Sequence, residues 1–68
     1  MRVKHIRDDY YGTGPDPDHN NEYRVIKVTE MGIVKGERSP ITWEPIGWAR
    51  DASTHEVAAI IQAYEDSL

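Results

Sequence analysis

There is no cysteine among the 68 residues. That excludes a disulfide framework and any thiolate-ligated zinc or iron–sulfur site, the usual staples of very small domains, and it removes the thiol as a nucleophile. Phenylalanine is absent as well, so the aromatic inventory is two Trp and four Tyr. Each of these has an apolar body and a polar tip, a kind favoured where a surface is partly wet. No apolar run approaches the roughly 20 residues that a membrane span needs. Met1 to Arg7 lack the apolar centre of a signal peptide. A single domain over residues 1–68, soluble and cytoplasmic, is the expectation. A chain this short buries only about 60% of the surface its unfolded form exposes, so large side chains have to supply much of the core.

Charge of one sign is short at one end. Residues 1–43 hold seven Lys/Arg (Arg2, Lys4, Arg7, Arg24, Lys27, Lys35, Arg38) and seven Asp/Glu. Residues 44–68 hold Arg50 against Glu44, Asp51, Glu56, Glu65 and Asp66, so the whole net charge of -4 sits there. Nucleic-acid affinity is dominated by cations that replace counterions, which disfavours phosphate binding through that end.

What is present is clearest in the last quarter. Ser53, Thr54, His55 and Glu56 spell a capping box, in which the Ser53 hydroxyl accepts from the Glu56 N–H and the Glu56 carboxylate accepts from the Ser53 N–H. Val57, Ile60, Ile61, Tyr64 and Leu68 then recur at steps of three and four, one stripe of a helix over 54–66. A helix of about 13 residues is marginal alone in water, so the preceding chain must offer it an apolar face.

That chain reads as strands and turns. Met1 to Ile6 forms a first strand whose anchors, Val3 and Ile6, break strict alternation, as a bulge or a short strand does. Gly12 to Asn21 is rich in Gly, Pro, Asp and Asn, and Pro15 and Pro17 lack donors, which predicts a flexible loop over 12–21. Tyr23 to Thr29 is rich in β-formers and predicts a strand. Met31-Gly32 either turns the chain back or continues this strand through a glycine bulge, and Gly36 to Pro40 reads as a loop. Ile41 and Trp43 share one parity, Ile46 and Trp48 the other, with Pro45 between them, the mark of a bulge or an edge strand. Without a bulge the two tryptophans face opposite sides, Trp43 beneath the helix and Trp48 near a contact surface. The predicted class is α+β, a small antiparallel sheet of three to four strands with one C-terminal helix packed on one face.

Several chemistries fail at named positions. Asp16, Asp18, Asn20 and Glu22 alternate like the start of a calcium loop, but the required glycine and closing glutamate are Asn21 and Lys27. His55-Glu56 opens like a metalloprotease helix, yet the second histidine falls on Ala59. Gly12-Thr13-Gly14 lacks the later glycine of a dinucleotide fingerprint, where Pro17 stands. Ser39, Ser53 and Ser67 have no nucleophile-elbow sequence. No catalytic residue, cofactor or metal is expected, and the residues left to carry function are Tyr10, Tyr11, Trp43, Trp48 and Arg24 as a binding set.

Short, acidic, cysteine-free and motif-poor with a loop-rich start, the chain resembles the small accessory proteins of bacteriophages, some of which bind and inhibit host proteins. The resemblance implies a regulatory contact with a host protein and assigns no residue. The expected function is therefore protein binding without catalysis, to a partner or to a second copy as a dimer or other homo-oligomer. The alternative is a small nucleic-acid-binding module, which requires Arg2, Lys4, Arg7, Arg24 and Lys27 on a common face beside aromatic stacking platforms.

Overall fold

The computed structural model describes residues 2–52 and 55–68. Four strands, β1 (Arg2–Arg7), β2 (Tyr10–Asp16), β3 (Glu22–Val34) and β4 (Glu37–Ala49), pair antiparallel in chain order, and one helix, α1 (His55–Asp66), follows them. This is the predicted α+β architecture, a small antiparallel sheet with the C-terminal helix against it. No helix among the described residues is long and apolar enough to cross a membrane.

The helix is held by its stripe. Val57 and Ile61 are buried against Tyr10, Val25 and Ala49, with Ile6, Ile46, Ile60 and Tyr64 packed around them. Full burial of an aliphatic side chain contributes about 1.5–3 kcal/mol, so these contacts offset much of the cost of ordering a short helix. Small residues let it approach: Gly12 meets Ala52, and Gly47 meets Ile60. The cap residues Ser53 and Thr54 lie outside the described residues. The Glu56 carboxylate accepts the Arg50 N–H at 3.1 Å and pairs with Arg50 Nε at 3.2 Å, which ties the exit of β4 to the first helical turn. Leu68 does not join the stripe. The helix ends at Asp66, the Ser67 hydroxyl donates to the Tyr64 carbonyl at 2.7 Å, and Leu68 is exposed.

Two predicted loops are largely strand. Residues 12–16 belong to β2, which pairs on both sides. Pro15 is tolerated because it sits at a bulge: Thr13 pairs with Arg24 and Asp16 with Glu22, so Gly14 and Pro15 together oppose Tyr23. The Gly14–Pro15 peptide is cis. Only 17–21 is a turn, a short 3-10 segment at Pro17–His19 followed by Asn20 and Asn21 at φ 55° and 59°, a conformation asparagine accepts readily. The Gly36–Pro40 loop is likewise the start of β4 apart from Gly36 itself. The chain reverses at Lys35-Gly36, whose φ angles of 51° and 81° make a two-residue hairpin turn of the primed type. Met31-Gly32 lies inside β3, the continuing-strand alternative.

The β3–β4 hairpin is long and bent. Its register shifts between Val25 and Ile26, between Val28 and Glu30, and again between Glu30 and Met31. Bulges increase local twist, and here the hairpin end is carried across the sheet face turned away from the helix. A cavity of about 520 Å³ is lined by Val3, His5 and Tyr11 from β1 and β2 and by Met31, Arg38 and Pro40 from the hairpin. The face that the helix leaves uncovered is thus partly overhung by the chain's own hairpin.

Candidate functional site

Strand register decides which side chains share a face. In β3, Arg24, Ile26 and Val28 alternate with Val25 and Lys27. Directly paired residues of antiparallel strands point to the same side. Arg24 pairs with Trp48, Val28 with Trp43, Thr13 with Arg24 and Tyr11 with Ile26. Val3 pairs with Thr13 and His5 with Tyr11. These residues form the outer face, away from the helix.

The two tryptophans therefore lie on one face, not on two. Val25 pairs with Gly47 and Ile26 with Pro45, which leaves Ile46 as the extra residue of a bulge in β4. The bulge compensates the change of parity across Pro45, and β4 is also an edge strand. Trp43 does not lie beneath the helix as expected; it stands on the outer face with 46% of its surface exposed. Trp48 is the better covered of the two. Ile46, at the bulge, turns to the helix and packs against the core.

Tyr10 and Tyr11, adjacent in sequence, separate for the same geometric reason. Tyr11 is on the outer face with its ring 4.9 Å from that of His5. Tyr10 is buried under the helix, 2% exposed, and its hydroxyl donates to Glu65 at 3.2 Å. Its ring packs edge-on to Tyr64 at 6.3 Å and lies 5.2 Å from Lys27 Nζ. Tyr10 is a core residue and leaves the binding set, while Tyr11, Arg24, Trp43 and Trp48 remain together.

The Arg24 guanidinium carbon lies 4.8 Å from the Trp48 ring centre, and the same ring is 4.1 Å from that of His19. Guanidinium over an indole face is a favourable electrostatic arrangement that also positions the arginine. Beside it is a cavity of about 260 Å³ lined by Val3, Thr13, Arg24, Ile26, Pro40 and Trp43, with Ser39 at its rim. Val3, Ser39 and Pro40 also line the 520 Å³ cavity, and His5, Tyr11, Met31 and Arg38 join that one to a third, of about 290 Å³, which ends at Asp8, Asp9 and Glu30. The three form one groove along the outer face, with Arg24 at one end and carboxylates at the other.

His5 Nε2–H donates to the Asp8 carbonyl at 2.8 Å, and the Thr42 hydroxyl donates to Glu30 at 3.1 Å. In the β2–β3 turn, the Asp16 carboxylate accepts the Asp18 N–H at 3.0 Å as a cap. Among the described residues, no group of three or more His, Asp or Glu side chains is placed to hold a metal ion. Nor do the basic residues share a face. Lys4, Arg7 and Lys27 lie on the helix side by register, through pairing with Gly12 and Tyr10, and Arg24 is on the other.

Val3, His5, His19 and Pro40 were not part of the binding set read from the sequence. His5 against Tyr11 follows from the β1–β2 register once residues 10–16 are read as a strand. His19 against Trp48 carries no sequence signal, because a turn residue is brought to a distant strand only by the fold. No protein-family model matches the chain, and no curated protein or solved structure is significantly similar to it.

Proposed function

We propose that the protein is a small binding protein without catalytic activity that engages a protein partner through the outer face of its sheet. One observation supports this reading above the rest: the half-exposed Trp43, the Arg24–Trp48 pair and Tyr11 stand on a single grooved face that the helix does not cover. Tryptophan, tyrosine and arginine are the residues most enriched at the energetic centres of protein contacts. An exposed aromatic beside aliphatic side chains has surface to bury that a domain of this size does not bury alone. The resemblance to phage accessory proteins makes a host protein the first partner to look for, with a regulatory or inhibitory outcome.

The test is comparative capture from cells of the source. Wild type, Trp43→Ala, Arg24→Glu and an exposed helix substitution, Gln62→Lys, are immobilised in parallel. A partner retained by wild type and Gln62→Lys and lost from both outer-face variants supports the proposal. A partner held equally by all four overturns it.

A further inference from the structure

Arg24 is placed where its neighbours do not neutralise it. Among the described residues no carboxylate forms an ion pair with it, although the chain holds 12 acidic residues. It is half-buried, fixed over Trp48, and it opens onto the most apolar part of the groove, where Val3, Ile26, Pro40 and Trp43 meet. Thr13 and Ser39 bring hydroxyls to the same cavity. A guanidinium fork beside an apolar recess matches a carboxylate that carries an apolar group next to it.

The rest of the groove indicates what bears that carboxylate. From Arg24 to Glu30 it follows β3 for about 20 Å at the strand rise of ~3.3 Å per residue, the reach of about six extended residues. Its far end is acidic on balance, with Asp8, Asp9 and Glu30 against Arg38, which lines it too. A ligand with a carboxylate at one end, an apolar group beside it and a cation at the other end is complementary to these two ends, and the middle, where Tyr11 and Met31 meet Lys35, Glu37 and Arg38, takes mixed polar and apolar matter. Resting on the proposed function, we infer that the outer face takes an extended peptide segment. A carboxylate of the peptide sits on Arg24, the apolar side chain beside it enters the Val3–Ile26–Pro40–Trp43 cavity, and a basic residue lies toward Asp8 and Asp9. Electrostatic complementarity of this kind fixes direction and register as well as affinity.

The full chain is titrated with two pairs of synthetic peptides while the indole N–H signals of Trp43 and Trp48 are followed by NMR. The first pair is acetyl-Lys-Thr-Val-Thr-Leu-Glu-amide and its Gln counterpart. The second is acetyl-Lys-Thr-Val-Thr-Leu with a free carboxylate and its amide. In at least one pair the anionic member binds tighter than the neutral one by about tenfold or more and shifts both indoles, and the pair that does so tells a side-chain carboxylate from a chain-terminal one. Arg24→Gln removes the preference and Arg24→Lys reduces it, since lysine keeps the charge and loses the planar fork. Equal affinity within both pairs, a preference that survives Arg24→Gln, or no peptide that moves either indole overturns the inference. Capture of a partner that depends on the outer face is read separately, so the proposed function stands or falls by its own result.

Discussion

Ile60 of the helix occupies the place a side chain would take at Gly47 of β4: a Cβ built there lies 2.8 Å from Ile60 Cγ2 and 3.3 Å from Cγ1 and Cδ1. Three atoms of one branched side chain surround the position, so relief requires the helix to shift or Ile60 to leave its rotamer. Gly47→Ala is expected to lower stability by about 1–3 kcal/mol, the usual cost of overpacking. The denaturant midpoint measures it. Combining Gly47→Ala with Ile60→Val should recover part of the loss, because the two residues are in contact and their effects do not add.

The hairpin turn offers a change of opposite sign. Lys35 holds φ 51°, which a side chain with a Cβ adopts at a cost, and Gly36 holds φ 81° with open space around it. Asparagine is favoured at the first position of such a turn. Lys35→Asn should raise the melting temperature and Gly36→Ala should lower stability by about 1–2 kcal/mol. If the two substitutions move the midpoint in the same direction, the turn is not of this type.

Alkaline pH should weaken the fold through two phenols. Burial, the nearby Glu65 charge and the hydrogen bond to Glu65, together with Tyr64, raise the Tyr10 hydroxyl above its ordinary value, against a smaller lowering by Arg7. The hydrogen bond to Glu44, at 2.9 Å, and then burial and the Glu44 charge raise Tyr64. A phenol raised in the folded state stays protonated where the unfolded chain has lost its proton. The stability it contributes is complete below about pH 10, the unfolded value, and declines as pH climbs from there through the folded value. Denaturation midpoints from pH 8 to 11 should fall less steeply for Tyr10→Phe with Tyr64→Phe than for wild type, with lysine deprotonation common to both.

The tryptophans are distinguishable by collisional quenching with a neutral quencher. Trp48→Tyr leaves Trp43, half-exposed, as the only indole; Trp43→Tyr leaves Trp48, packed between Arg24 and His19. Acrylamide should quench the first variant more strongly. Equal quenching, or the reverse order, contradicts the packing of Trp48 between Arg24 and His19 that leaves Trp43 the more exposed of the two.

The helix stripe was legible because periodicity of three and four needs only local geometry, and Val57, Ile60, Ile61 and Tyr64 all pack where it predicts. The α+β order was legible for the same reason. Residues 12–16 were not, since glycine and proline report what a strand interior disfavours and say nothing of a bulge that accommodates them. Tyr10 illustrates the limit most sharply. Beside a turn-rich segment it reads as an exposed aromatic, and it is buried because the strand alternation that places Tyr11 outward necessarily turns Tyr10 under the helix.

By itself the sequence determined the aromatic inventory, the charge asymmetry, the lack of thiol chemistry and the existence of a helix that requires a sheet. These are properties of residue type and short-range spacing, which do not depend on what lies opposite. Tertiary structure alone decided that Trp43 and Trp48 share a face, that His19 reaches Trp48, and that Arg24 opens onto an apolar cavity without a carboxylate partner among the described residues. Each follows from register, and a one-residue bulge moves every later side chain of a strand to the other face.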